Sequence, residues 1–144
     1  MSKNSWEKEK KMILLVEDNE EYRELLADYL RDQGYGVVTA IDGMEASQKA
    51  RRQNFSAIIS DLMMPRKDGI RLSQEIIKFS ETPILLMTGE MDKYKYGLDT
   101  LPNVTLIQKP FKRELLKILI EKMTSVDVKK ASKKVTKKMT KKAS

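Results

Sequence analysis

Residues 57–65 read Ala57-Ile58-Ile59-Ser60-Asp61-Leu62-Met63-Met64-Pro65. A short, mostly apolar run ends in a carboxylate, and Pro65 and Gly69 then mark a loop before the next helix. A hydrophobic strand gains nothing from ending in an acid. An acidic side chain placed where a buried strand leaves the core is instead poised for a ligand or for chemistry. Taken singly, such an aspartate has a plainer explanation as a helix cap or turn former, so its meaning rests on the rest of the chain.

Upstream, Met12-Ile13-Leu14-Leu15-Val16 is continuously apolar, as in a strand buried on both faces, and it ends at Glu17-Asp18-Asn19. From Glu20, the apolar residues Tyr22, Leu25, Leu26, Tyr29 and Leu30 follow helical spacing. Asn19 suits the N-cap, Glu20 and Glu21 suit the positive end, and Gly34 stops the helix. Residues 37–40 form a short second strand, and Asp42-Gly43-Met44-Glu45 reads as a capping box opening a helix to about Gln53.

Downstream of the third strand (57–60), Asp68-Gly69 opens a helix with Ile70, Leu72, Ile76, Ile77 and Phe79 facing inward. Residues 83–87 are a fourth strand, ended by Thr88-Gly89. Met91, Tyr94 and Leu98 give residues 90–101 only a weak helical stripe. Residues 104–107 are a fifth strand leading to Gln108-Lys109-Pro110-Phe111, and the last helix is expected to bury Phe111, Leu115, Ile118, Leu119 and Met123. Five β-α units with continuous apolar strands predict an α/β fold, a parallel sheet doubly wound with helices on both faces. The strand order 2-1-3-4-5 is carried over from known flavodoxin-like folds, in which ligands bind beyond the carboxyl ends of the strands, here between strands one and three.

The residues that follow each strand then form a pattern. Strand one supplies Glu17 and Asp18, strand three Asp61, strand four Thr88 and strand five Lys109, while strand two supplies nothing of interest. A capping acid pair, a turn threonine or a solvated lysine is ordinary singly. Their joint placement at four strand ends is not. Three carboxylates close together repel unless a cation compensates, and oxygen ligands without His or Cys point to Mg²⁺. A carboxylate is also a nucleophile in aspartyl-phosphate formation, and a metal, a lysine and a hydroxyl can clamp the oxygens of a transferring phosphoryl group.

The stretches Ile13-Leu14-Leu15-Val16-Glu17-Asp18-Asn19 and Asp61-Leu62-Met63-Met64-Pro65 with Asp68-Gly69, then Thr88 and Lys109-Pro110-Phe111, resemble a response-regulator receiver domain of two-component signalling over residues 12–124. The resemblance implies that Asp61 is the phosphoacceptor, served by a partner histidine kinase or histidine phosphotransfer protein. It implies that Glu17, Asp18, Asp61 and the backbone carbonyl of Met63 hold Mg²⁺, that Lys109 and Thr88 bind the phosphate, and that the peptide before Pro110 is cis. Such a domain is not a turnover enzyme, and a dimer dependent on phosphorylation is within the family's range. Leu106 stands where many receivers carry the aromatic switch residue, and a leucine cannot report through a hydroxyl or an aromatic flip. Residues 90–103 lack the family's usual Gly-Ala pair, and the two positions that tune phosphate lifetime are Met63 and Glu90. A haloacid-dehalogenase-type phosphatase, which also uses Asp, Thr and Lys, would need an Asp-x-Asp nucleophile motif, and neither acidic stretch supplies one.

Composition sharpens this. The 144 residues contain no Cys and no His, which excludes disulfides, thiolate chemistry, His-dependent triads and phosphohistidine on this chain. No apolar run approaches the ~18 residues of a membrane span, and the start lacks a signal peptide's apolar core, so the cytoplasm is the expected location. The net charge of +7 belongs to one end, because residues 129–144 hold eight lysines and no acid in four tetrapeptide copies, Lys-Lys-Ala-Ser to Lys-Lys-Ala-Ser. The expected organisation is an arm at 1–11, a receiver at 12–124 and a lysine-rich tail at 125–144, disordered when free because its lysines repel. With about 20 residues after the last helix, no folded effector is expected. The tail suits sequence-blind, salt-sensitive nucleic-acid binding of the linker-histone kind, contact with anionic membrane, or a plain solubilising polycation. A nucleic-acid-coating protein with a vestigial receiver is the rival reading of the whole chain, and the intact acid cluster argues against it.

Overall fold

A computed structural model describes residues 9–98 and 101–125, with residues 95–97 as backbone only. Five strands alternate with five helices: β1 (Met12–Val16), α1 (Glu20–Asp32), β2 (Gly36–Ala40), α2 (Gly43–Arg52), β3 (Ala57–Asp61), α3 (Gly69–Ile76), β4 (Ile84–Thr88), α4 (Met91–Leu98), β5 (Val104–Gln108) and α5 (Arg113–Thr124). The strands form one sheet in the order β2-β1-β3-β4-β5, every pairing parallel. Ile13, Leu14, Leu15 and Val16 of β1 are fully buried, each contributing roughly 1.5–3 kcal/mol by leaving water. This is why the run is continuous rather than alternating.

The two sheet faces have separate cores. On one, Leu26 and Leu30 of α1 and Leu116 and Ile120 of α5 pack on Ile13, Leu15, Ile59, Leu85 and Met87. On the other, Ala46 of α2, Leu72 and Ile76 of α3 and Leu98 of α4 pack on Leu14, Val16, Ile58, Ile84 and Leu86. Three helices start on the side-chain caps expected from the sequence or from its Asp-Gly signal: Asn19 accepts from Tyr22 N, Asp42 from Glu45 N and Asp68 from Arg71 N. The capping box at α2 differs in one detail, because the Glu45 carboxylate reaches back to the amide of Ile41 rather than that of Asp42.

Three helix faces differ from the sequence reading. In α5 the buried residues are Leu116, Ile120 and Thr124, with Leu119 and Met123 beside them, while Leu115 and Ile118 are 44% and 48% exposed. The run Leu115-Leu116-Lys117-Ile118-Leu119-Ile120 is apolar at either helical phase. Docking on the sheet selects the phase that ends on Thr124, whose hydroxyl is satisfied by donating to the Ile120 carbonyl at 2.8 Å. Leu25 of α1 faces solvent for the same reason, with Leu26, Ala27 and Leu30 inward. Phe79 lies beyond the end of α3 and points outward, under the Arg51 guanidinium at 4.5 Å. The weak stripe at 90–101 is α4, anchored by buried Leu98. The arm at 1–8 and the tail at 126–144 lie outside the described residues. Among the described residues, no helix is long and apolar enough to cross a membrane.

Candidate functional site

The topology brings the carboxyl ends of β1, β3, β4 and β5 to one edge, leaving β2 at the sheet's margin. Glu17, the residue after β1, is pinned by its backbone: its amide donates to the Ala40 carbonyl at 3.0 Å, and its carbonyl accepts from Arg23 Nη1 at 2.9 Å. Its side chain is therefore held inward and is 2% exposed, whereas Asp18 faces solvent. Asp61 is the last residue of β3, registered against Met87 of β4. Carboxylate oxygens of Glu17, Asp18 and Asp61 lie within 4.8 Å of one another.

Lys109 closes the cluster. Its Nζ is 3.2 Å from Asp61 Oδ1 and 3.6 Å from Glu17 Oε1. The β4–β5 pairing sets this position, because the Lys109 amide donates to the Thr88 carbonyl at 2.7 Å. The Lys109–Pro110 peptide is cis, as the resemblance implied. The Tyr22 ring of α1 lies 5.0 Å from Nζ and forms a wall that the sequence did not announce. The floor depends on Gly69, at the start of α3. A Cβ there would approach the Asp61 carbonyl oxygen at 2.9 Å and Leu62 Cα at 3.0 Å, so only glycine lets α3 begin this close to the end of β3.

The charges do not balance. Burial, then the Asp18 and Asp61 carboxyls, push the Glu17 carboxyl up to about 7, with Lys109 only partly opposing. Burial likewise raises Asp61 above the ordinary carboxylate range, although Lys109 pulls it down. For Lys109, burial acts downward, but Asp61 and Glu17 more than offset it and hold the ammonium above its usual value. One lysine does not satisfy three carboxylates, and the donor set consists only of oxygens. Such a set fits a hard divalent cation such as Mg²⁺.

The remaining expected residues sit around this centre with different relations to it. Thr88, at the end of β4, is buried, and its Oγ1 accepts from the Glu90 amide at 3.0 Å. Among the described residues, the proton of that hydroxyl has no acceptor. Met63 is 54% exposed in the loop after β3, and its Sδ accepts from the Tyr94 hydroxyl of α4 at 3.1 Å. The Glu90 carboxylate is exposed and lies 3.8 Å from Lys93 Nζ. Leu106 packs with the Leu86 and Leu98 cluster on the α3–α4 side of the sheet. Sequence reading missed Tyr22, Tyr94 and Gln108. Gln108 ties the two loops by donating to the Gly89 carbonyl at 2.9 Å and accepting from the Met91 amide at 3.1 Å.

The family profile of the response regulator receiver domain matches residues 13–121. The chain belongs to the response-regulator receiver family. Receivers are signalling phosphoacceptors, phosphorylated by histidine kinases, rather than turnover enzymes. Among solved structures, this receiver is similar to that of the sensor histidine kinase PA1611 from Pseudomonas aeruginosa, with 30% identity and a TM-score of 0.73 over 81% of this chain and 98% of that one. That structure has a magnesium ion coordinated in its active-site cleft. The receiver is also similar to the chemotaxis response regulator CheY4 of Vibrio cholerae, with 34% identity and a TM-score of 0.68 over 80% and 99% of the two chains. The transcriptional regulatory protein SrrA of Staphylococcus aureus is 35% identical over 78 residues, 54% of this chain and 32% of SrrA. The matched region thus spans about a third of that relative's length.

Proposed function

We propose that Asp61 accepts a phosphoryl group from a phosphohistidine on a partner kinase or phosphotransfer protein. The observation that carries this is Lys109 Nζ at 3.2 Å from Asp61 Oδ1, inside a cluster of three carboxylates at the carboxyl edge of the sheet. An Asp61 carboxylate oxygen attacks phosphorus, a P–O bond forms, and the P–N bond breaks with its electron pair left on the imidazole nitrogen. Burial keeps competing water from Asp61, and Lys109 neutralises charge on the transferred oxygens. The Thr88 hydroxyl, fixed by the Glu90 amide, has its proton to donate to a phosphoryl oxygen once the group has arrived. Glu17, Asp18 and Asp61, with the Met63 carbonyl, are the residues that would hold Mg²⁺. When bound, that ion supplies the positive charge that Lys109 alone does not. Met63, two residues after Asp61, meets the Tyr94 hydroxyl at its Sδ, and phosphate lifetime is set there by steric cover, since a thioether orients no attacking water.

The relay to an output does not run through an aromatic at 106, and the basic residues at 129–144 support an output through nonspecific contact with nucleic acid. Comparing DNA retardation by the full chain and by a version ending at Ser125, across salt, tests that second reading. Equal binding by the two would remove it. For the phosphoacceptor reading, the test is phosphotransfer from a small phosphodonor with Mg²⁺, followed by intact mass. A gain that survives Asp61→Asn would refute it.

A further inference from the structure

The helices α2 and α3 and the loop before α3 enclose a shallow open cavity of about 600 Å³ on the sheet face away from α1 and α5. Five cations line it, Arg51, Arg66, Lys67, Arg71 and Lys78, against one carboxylate, Glu75. The sequence places these residues in four separate stretches. They meet because Gly43, at the start of α2, lies directly on the Lys67 carbonyl, where any Cβ would clash.

Three of the five cations are tied to carboxylates and two are not. Glu75 accepts from Ser47 Oγ at 2.6 Å and from Arg51 Nη2 at 3.1 Å, and it also binds Lys67. Arg51 is flattened against Phe79. Arg66 adopts a left-handed backbone (φ 69) and sets its guanidinium 3.4 Å from Asp42. Arg71 and Lys78 are exposed, with no ion pair among the described residues. Two carboxylates thus anchor three cations, and two further cations are left over. The three tied cations lose little side-chain entropy when the face meets an anion, and the two free ones supply uncompensated charge.

We propose that this α2–α3 face binds the phosphate backbone of nucleic acid. A protein partner is less well matched, because stable protein interfaces centre on a buried apolar core. Here Met44 is the one apolar residue lining the cavity, and Phe79 is capped by Arg51. A row of cations spread over two helices and a loop instead suits a repeating polyanion, and the same chain carries eight lysines at 129–144. Binding through cations to phosphates is sequence-blind. The proposal uses no residue of the phosphoacceptor crevice and stands apart from that reading.

The test uses the full chain and a fluorescent DNA duplex, with affinity measured between about 50 and 200 mM salt. Arg71→Glu with Lys78→Glu should lower the log–log salt slope by about 2, close to 0.9 for each phosphate no longer neutralised, and weaken low-salt binding by about tenfold or more. Lys117→Glu with Lys122→Glu on α5 makes the same change in net charge and should weaken binding less. Melting curves check folding, and the milder Arg71→Gln/Lys78→Gln pair repeats the test if the reversal destabilises. Equal weakening by both pairs, or weakening by neither, would overturn the proposal in favour of net charge or the lysine repeats. Tighter Arg71- and Lys78-dependent binding to phosphatidylserine vesicles or polyglutamate than to DNA would overturn the choice of occupant. Phosphorylation of Asp61 in the same variants should match the parent, which separates failure here from failure of the phosphoacceptor reading.

Discussion

Two charge clusters in this molecule are built from the same groups in opposite proportion. In the crevice, three carboxylates share one lysine, and the most buried of them, Glu17, is pushed up to about 7. On the α2–α3 face, one carboxylate is shared by Lys67, Ser47 and Arg51, and Glu75 falls to about 2. Glu75 behaves as a tie that joins α2, α3 and the loop between β3 and α3. Glu17 cannot be a tie, because its neighbours make its charge unwelcome and burial withholds water from it. The same side chain is thus structural where cations are in excess and demands a ligand where they are lacking. The first cluster needs a cation, and the second is left with positive charge to give.

The largest expected effect would come from breaking the crevice's balance. Lys109→Ala should slow phosphorylation by roughly 10²-fold, the scale of losing one preorganised charge at a transferring group, while leaving Mg²⁺ binding in place. A Mg²⁺ titration beside a phosphorylation time course separates the two. Gly69→Ala should be next. The new methyl group meets the Asp61 carbonyl oxygen and Leu62 Cα, and the forced shift should cost about 1–3 kcal/mol and slow phosphorylation. If denaturant melts and rates are unchanged, α3 does not hold the Asp61 backbone in place.

The clusters should also respond oppositely to pH. The Glu17 carboxyl keeps its proton in the folded chain up to about 7, against an ordinary 4.5. Its contribution therefore favours folding below 4.5 and is lost as pH rises to about 7. Mg²⁺ competes with that proton, so Mg²⁺ affinity should rise through the same window and level off above it, and Glu17→Gln should flatten the curve. Glu75 is depressed from 4.5 to about 2, so its stabilisation is present above 4.5 and lost as pH falls through about 2. Glu75→Gln should cost about 1 kcal/mol at neutral pH, and that cost should disappear as pH falls through about 2. Parallel pH profiles of stability for the two variants would contradict the contrast drawn between them.

The smallest effect concerns the cover of the crevice. Tyr94→Ala removes the hydroxyl that meets Met63 Sδ and should shorten the lifetime of phosphorylated Asp61 by a few fold. Tyr94→Phe should have less effect, because the ring's bulk remains. A lifetime unchanged in Tyr94→Ala would show that Met63 shields the site alone.

Much of this was legible in the sequence for one physical reason. The buried strands β1, β3 and β4 read as largely apolar runs, so the polar residues at their ends, Glu17, Asp61 and Thr88, stand out at the carboxyl edge of the sheet, and Lys109 follows the more exposed β5. The α5 face was legible only in part: Phe111, Leu119 and Met123 pack against the core as expected, but Leu115 and Ile118 are as apolar as Leu116 and Ile120 and only docking on the sheet selects the phase. Tyr22 over Lys109 and Tyr94 on Met63 join residues far apart in the chain, and no local pattern marks either pair. The cationic face was invisible for the same reason: Arg51, Lys67 and Glu75 lie in three different elements and form a site only once α2 rests on the Lys67 carbonyl.

The central claim is that Asp61 is the residue phosphorylated in this crevice. The full chain is incubated with acetyl phosphate and Mg²⁺, and intact mass is read beside Asp61→Asn and a metal-free control. The account predicts the gain of one phosphoryl group in the parent with Mg²⁺, no gain in Asp61→Asn, and little without metal. No gain in the parent, or an equal gain in Asp61→Asn, would contradict it.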